Sequence, residues 1–358
     1  MIERVLIINF GGLGDMVYTT PIFRELKRNL PDCYLIFLTE PPYAEVFINN
    51  PYIDELILFN KKDYRLRDAL KFYRKLKRKN LDLVIDLTKG ARGAFITWMT
   101  GAEKRVGFKH KGRELFAYNV WVTRDNTKTI CPNSKYVVEF FLDTLRALGM
   151  KVEDLSLRLY PGKKDWSVVR DFLINKKIDW TKPIIGLNPN VSIKLREWQP
   201  EGFAETGDRL VEQYGANIIL IQAPNQEKMV SSIIKKMHTS PFIASGFTIK
   251  QLTLLISKFS LLITVDTGIK PLAVAMDVPT ITLFGPTNYI NYTPTSGKHL
   301  VVRKDLPCSP CGKFHCDNPE CMTLITPENV LSKVEEILVS GVNYKIPNHK
   351  FQNTNKFQ

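Results

Sequence analysis

Short apolar runs alternate with amphipathic stretches along most of the 358 residues. The runs Val5–Asn9, Tyr34–Leu38, Glu55–Phe59 and Leu83–Asp86 predict buried strands. Helical spacing is predicted near Pro21–Asn29, Pro42–Ile48 and Tyr64–Lys79. In the last of these, Leu66, Leu70, Tyr73 and Leu76 share one face, which turns most of the lysines and arginines to the other. A further helix is expected from a Ser134 cap to about Leu148, where Gly149 stops it. The pattern weakens from Leu155 to Lys182, and Pro161-Gly162 marks a turn, so residues 161–182 are read as a linker. The alternation then restarts. Strands are expected at Ile184–Leu187, Asn217–Ile221, Leu261–Val265 and Thr280–Phe284, and helices at Pro200–Tyr214, Gln226–Met237, Thr248–Lys258 and Ile269–Met276.

Strand–helix alternation of this kind argues for parallel sheets covered on both faces. The expected fold class is therefore α/β, with two Rossmann-like domains, residues 1–160 and 183–342, facing each other across a central cleft. A polar tail is expected at 343–358.

No apolar run approaches the roughly 18 residues of a membrane helix. Met1-Ile2-Glu3-Arg4 leads directly into the first apolar run, so no secretory leader is expected and a cytoplasmic protein is. The chain carries 50 basic and 36 acidic residues, a net charge of +14. Ten of the cations fall in residues 61–79 and five more between Lys104 and Arg113. Such stretches suit a solvated helix face, anionic lipid headgroups, or a phosphorylated or lipid-linked partner. Nucleic acid is not expected, because no nucleic-acid-binding module accompanies them.

Four segments could carry chemistry. In the first, Gly11, Gly12 and Gly14 follow the first strand and Asp15 opens the next helix. This begins like a dinucleotide fingerprint, but the third glycine position holds Val17, and a carboxylate at the helix start would repel a pyrophosphate. Asp15, kept ionised by the helix dipole, is either a helix cap or a base pointing into the crevice. In the second, Asp266-Thr267-Gly268 ends a strand and offers backbone amides and a hydroxyl to a phosphate. Lys270 adds charge if it points inward, and Gly285-Pro286-Thr287 forms a neighbouring loop; Asp266 could instead cap the helix that follows.

In the third, Ser192, Lys194 and Arg196 lie in the loop after the second domain's first strand, within reach of phosphate oxygens, while Trp198 is expected to pack beneath it. Glu227, after the next strand, could hold ribose hydroxyls. The fourth segment is Cys308, Cys311, Cys316 and Cys321, which begin as a CxxC and continue at five-residue intervals. That spacing suits tetrahedral thiolate coordination of a structural zinc or iron ion, with His315 as a substitute ligand; the alternative is four reduced thiols in a compact loop. Cys33 and Cys131 stand alone and are read as packing residues.

Together these segments resemble the bacterial heptosyltransferase family. The resemblance rests on Leu6 to Pro21, the Ser192–Pro200 loop, Asp266-Thr267-Gly268, Phe284 to Thr287, and Cys308 to Pro327, in matching order and spacing. It implies a GT-B fold and inverting, metal-independent transfer of a heptose from an ADP-heptose donor to a lipopolysaccharide core or similar glycolipid acceptor. It implies Asp15 as general base, Arg196 as a donor contact, Asp266, Thr267 and Gly268 as diphosphate ligands, and a cysteine finger of the kind one branch of the family carries. An acceptor of that kind implies peripheral contact with the anionic inner membrane. Two departures sit on the donor side: Pro271 stands where the family has a histidine, and Gln199 separates Trp198 from Pro200. Alternative readings are a nucleotide-sugar epimerase, or a transferase with another donor or a protein acceptor.

Overall fold

The computed structural model describes residues 2–60, 66–88, 90–109, 116–123 and 135–339. The chain divides into two compact units, the first running to Tyr160 and the second taking over at Pro161.

In the first unit the order is β1 (Arg4–Ile8), α1 (Leu13–Tyr18), α2 (Thr20–Asn29), β2 (Tyr34–Thr39), α3 (Pro41–Ala44), β3 (Glu55–Leu58), α4 (Leu66–Lys77), β4 (Leu83–Asp86), α5 (Ala91–Thr100), β5 (Lys104–Lys109), β6 (Val120–Thr123) and α6 (Val137–Arg146). In the second it is α7 (Lys163–Asn175), β7 (Ile184–Asn188), α8 (Pro200–Tyr214), β8 (Asn217–Gln222), α9 (Glu227–Lys236), β9 (Phe242–Ser245), α10 (Ile249–Ile256), β10 (Leu261–Val265), α11 (Lys270–Ala275), β11 (Thr280–Leu283), β12 (His299–Val302), α12 (Glu320–Thr323) and α13 (Pro327–Val339).

Both sheets are parallel and six-stranded. Their orders, β3-β2-β1-β4-β5-β6 and β9-β8-β7-β10-β11-β12, are the same order twice. All four registers beside the central strands are parallel, with Ile8 opposite Asp86 and Asn188 opposite Thr264 at the carboxyl ends. Helices cover both faces, so the central strands are apolar on both sides: Val5 to Ile8 are wholly buried, as are Leu261 to Ile263.

The structure holds elements that the apolar pattern does not predict: α5, β5, β6, β9, β12, α12 and α13. In α5 exposed Phe95 and Trp98 add apolar positions to those already facing the core, which erases the amphipathic signature. β5 has lysines at both ends, and β6, β9 and β12 are four residues each. Residues 161–182, marked as linker by their sequence, contain α7. This helix packs on α10 and belongs to the second unit, with Phe172 edge-on to Phe247 at 5.2 Å and Lys258 over the Trp166 ring at 4.6 Å. The preceding strap, up to Tyr160, is fastened to α2: Arg24 donates to the carbonyls of Asp154 and Ser156, and Glu25 accepts from the Glu153 amide.

α6 ends as expected, with Gly149 at φ 76° and the Met150 amide reaching back to the Leu145 carbonyl. Its Ser134 cap lies outside the described residues, as do Cys131, the 343–358 tail, Lys61, Lys62, Tyr64, Arg65, Lys111 and Arg113, and the side chains of Leu66 and Leu70. Among the described residues no helix is long and apolar enough to cross a membrane.

Candidate active site

An open α/β sheet takes its ligands outside the carboxyl ends of its strands, where the strand order reverses. That point lies between β1 and β4 in one unit and between β7 and β10 in the other. Asp15 stands in the first turn of α1 after β1, and the segments after β7 and β10 carry Arg196 and Asp266.

In the first unit the glycine turn is pinned from below by a buried asparagine. Asn9 Oδ1 accepts the Gly11 amide at 3.0 Å, and its Nδ2 donates to Thr19 Oγ1 at 2.7 Å. The Thr19 hydroxyl in turn donates to the Asp15 carbonyl at 2.7 Å. Neither Asn9 nor Thr19 stood out in the sequence; a lone polar residue closing an apolar run was the only signal.

Gly12 occupies the N-cap of α1, and no side chain caps that helix, so Asp15 is not a cap. Its half-buried carboxylate has no hydrogen-bond or ion-pair partner among the described residues. It folds over the turn instead: a Cβ on Gly11 would stand 2.5 Å from Asp15 Cβ and 2.7 Å from Oδ2. A Cβ on Gly12 would meet nothing within 4 Å, so Gly11 is the position where the missing side chain makes room. Gly14 follows inside α1.

Beside it, Asp86 ends β4 fully buried, accepting from the Tyr118 hydroxyl at 2.7 Å and the Thr88 amide at 2.8 Å. Gly93 of α5 lies so close that any Cβ there would fall within 2.5 Å of both carboxylate oxygens. Asp86 thus locks α5 and the β4 loop onto the sheet edge next to the glycine turn.

In the second unit two buried asparagines knit three strand ends together. Asn188 Nδ2 donates to Thr264 Oγ1 at 2.8 Å and to Thr267 Oγ1 at 3.0 Å, while its Oδ1 accepts from Asn190. Asn190 also reaches the Ile221 carbonyl and the Ala223 amide beyond β8. Thr267 Oγ1 accepts the Ile269 amide, so the threonine rather than Asp266 meets the start of α11, which has no side-chain cap at its first residue. Asp266 serves a different purpose. Its Oδ2 stands 3.0 Å from Arg196 Nη1, in ionic contact that leaves Oδ2 without a well-aligned hydrogen bond. Arg196 Nε is likewise buried without an acceptor. A guanidinium held by one carboxylate, on a side chain still 25% exposed, is a ready anion ligand.

The remaining loop residues divide by exposure. Ser192 and Lys194 are exposed and have no side-chain partner among the described residues, while Gly268 is half-buried. Glu227 is exposed at the start of α9, its Oε1 accepting the Asn225 amide at 3.2 Å. Trp198 is wholly buried as expected, donating to the Ile325 carbonyl at 2.9 Å and lying edge-on to Phe203.

Lys270 does not extend towards the Asp266-Thr267-Gly268 loop's open side. It is buried, with its ammonium donating to the Tyr292 carbonyl at 2.7 Å and the Thr293 hydroxyl at 3.3 Å, over the Phe284 ring at 4.7 Å. It ties the segment after Gly285-Pro286-Thr287 to α11. Burial lowers its pKa to about 7, against the opposing pull of Asp266. Burial, with the charges of Lys270 and Lys298, likewise drops nearby His299 to about 4.

Unfolded Lys270 keeps its proton to about 10.5 and the folded one gives it up near 7. Between those values the unfolded state binds more protons, so stability rises with pH. We expect Lys270→Met to remove that rise, measured as thermal stability at pH 6 and pH 9; an unchanged slope would mean that the ammonium is not held in this environment.

The four cysteines lie on the loop that braces Gly285 and Pro286. Ser309 Oγ donates to the Gly285 carbonyl and the Gly312 amide to the Pro286 carbonyl, both at 2.7 Å. Cys321 is buried, and its thiol pKa is raised by burial and then by Cys311, Cys308 and Cys316, so the four thiols share one neighbourhood. Their chemistry fits a thiophilic ion. Their placement does not amount to a ligand set: among the described residues no three His, Cys, Asp or Glu side chains are arranged to hold a metal, and His315 is exposed beside Asp317 at 3.4 Å.

Residues 69–322 match the model of glycosyltransferase family 9 (heptosyltransferase). That span takes in Arg196, Asp266 and the cysteine loop and begins after the glycine turn. Lipopolysaccharide heptosyltransferase 1 of Pseudomonas aeruginosa is 24% identical over 94% of this chain and 98% of its own. Two solved structures share the fold: a glycosyl transferase family 9 protein from Veillonella parvula, with a TM-score of 0.81 at 22% identity over 94% of this chain and 98% of that one, and the ADP-heptose heptosyltransferase II of Escherichia coli, with 0.75 at 18% over 94% and 99%.

Proposed function

We propose that this chain, which belongs to glycosyltransferase family 9, the heptosyltransferases, moves a heptose from an ADP-heptose donor to a lipopolysaccharide core sugar, inverting the anomeric carbon. The observation that carries the reading is the Arg196–Asp266 contact beside Thr267, an anion ligand at the strand-order reversal of the second sheet. The second unit holds the donor, with Arg196, Thr267, Gly268 and exposed Lys194 and Ser192 meeting the diphosphate. Glu227, at the start of α9 after β8, meets the ribose.

The acceptor hydroxyl attacks the anomeric carbon and passes its proton to Asp15. The bond to the phosphate oxygen breaks as the new one forms, and ADP leaves with the electron pair. Its growing charge falls to Arg196 and the Thr267–Gly268 amides. Lys270 contributes by holding Tyr292 and Thr293 in place.

No cofactor takes part in this chemistry. Cys308, Cys311, Cys316 and Cys321 are the residues that would hold a structural zinc or iron ion. The protein works in the cytoplasm, against the anionic inner membrane where a glycolipid acceptor resides.

Binding of ADP-, GDP-, UDP- and dTDP-sugars to the purified chain tests the donor. ADP-heptose is expected to bind tightest, and Arg196→Ala to weaken it roughly 10- to 100-fold, the loss of a charge-assisted hydrogen bond. Preference for a UDP- or dTDP-sugar would overturn the donor assignment. Zinc and iron analysis of the same preparation tests the cysteine loop; a metal-free chain with unaltered stability would remove the ion from the reading.

A further inference from the structure

Seven aromatic rings form a continuous chain across the first unit. It starts at Phe10, beside Gly11, and steps through Phe59, Phe72, Tyr73, Phe95 and Trp98 to Phe116, with centroid separations of 5.2 to 6.1 Å. Arg92 lies over the first two rings, at 5.6 and 5.7 Å. Phe59 is buried and Phe10, Phe72 and Tyr73 are half-buried, but the outer three rings are exposed: Phe95 is 41%, Trp98 47% and Phe116 58% exposed.

Packing gives no reason to leave three large rings in water. Alongside, Lys71, Arg74 and Lys75 of α4 and Arg78 just after it line a depression of about 330 Å³. None of these four cations has an acidic partner among the described residues. An aromatic strip flanked by unpaired cations matches a bilayer surface, where rings settle at headgroup depth and cations face anionic lipid. A protein partner is less well matched, since protein interfaces favour aromatic and arginine residues but are depleted in lysine.

We propose that the α4–α5 face is a membrane-docking surface for anionic phospholipid, in which Phe95, Trp98 and Phe116 enter the interface and Lys71, Arg74, Lys75 and Arg78 hold the headgroups. This rests on the glycolipid-acceptor reading and deepens it. The ring chain runs from the membrane face to the glycine turn, so a lipid-anchored acceptor would present its sugars on the side where Asp15 stands.

The test is sedimentation of the full chain with vesicles of phosphatidylethanolamine and 30% phosphatidylglycerol, against pure phosphatidylcholine. Binding is expected to the anionic vesicles only. The triple change Arg74→Glu, Lys75→Glu, Arg78→Glu should weaken it by more than about a hundredfold. Phe95→Ser with Trp98→Ser should weaken it roughly tenfold or more while leaving the circular dichroism and the thermal unfolding of the chain unchanged, which shows that the variant is folded.

Brominated lipid should quench tryptophan emission, and Trp98→Phe should remove that part of the quenching while keeping the binding. Salt-sensitive binding without quenching of Trp98 would overturn the insertion of the rings, and equal binding to phosphatidylcholine would overturn the role of the cations. Self-association abolished by the serine variants would assign the face to a second copy. Vesicle binding without transfer from any donor would sink the proposed function instead, and transfer to a soluble acceptor without vesicle binding would sink this proposal alone.

Discussion

Asp15→Asn is expected to lower turnover by roughly 10²- to 10⁴-fold, the usual contribution of a positioned base, and to leave donor binding unchanged. The substitution is nearly isosteric and breaks nothing in the described structure, because the carboxylate caps no helix and has no partner there. A loss of activity would therefore report chemistry and not folding. Gly11→Ala supplies the complementary test. Its added methyl would stand 2.5 Å from Asp15 Cβ, so it must displace the side chain and should reproduce part of the loss. Single-turnover kinetics with bound donor separate the two effects. Near-normal turnover in Asp15→Asn would remove Asp15 from the mechanism.

The second large effect concerns stability. Trp198→Ala is expected to destabilise the second unit by about 3–5 kcal/mol, the range for removing a fully buried large aromatic. At about 2–4 °C per kcal/mol for a unit of this size, its thermal transition should fall by roughly 6–20 °C. The indole is wedged between Phe203 and Gly202, where a Cβ would lie 2.4 Å from the ring, and it spends its N–H on the Ile325 carbonyl. Alanine leaves a cavity and an unpaired carbonyl together. Trp198 follows closely on the Ser192–Arg196 loop, so loosening its anchor should lower donor affinity as well. Calorimetry with and without ADP checks both, and an unshifted transition would show that the loop does not depend on the indole.

The central strands were legible because a strand buried on both faces becomes an unbroken apolar run. β1, β2, β4, β7 and β10 fall within about one residue of the stretches read from the sequence. What escaped notice lay where that logic fails. β5 carries lysines at its ends, and α5 has apolar residues on its solvent side as well as its core side. The strap before Pro161 is held by buried Arg24 and Glu25 rather than by apolar periodicity.

The candidate site divides the same way. Asp15, Arg196, Asp266 and Thr267 could be picked out because each follows an apolar run that predicts a strand end. Their supports could not. Asn9 works through Thr19, ten positions on, Asn188 through Thr267, 79 positions on, and Asp86 through Tyr118, 32 positions on. Lys270 shows the limit most clearly. Its position after a strand-end loop suggested a phosphate ligand, yet its ammonium turns into the protein to meet Tyr292 and Thr293.

By itself the sequence determined two α/β halves, the strand ends on which chemistry could sit, and a carboxylate after a glycine turn, because burial and backbone geometry act locally on residue type. Only the tertiary structure decided that Asp15 caps nothing, that Asp266 holds Arg196, and that the helix with the unpaired cations packs beside the helix with exposed Phe95 and Trp98. Those facts depend on which side chains, distant along the chain, come within a few ångströms of each other, and no local pattern records that distance.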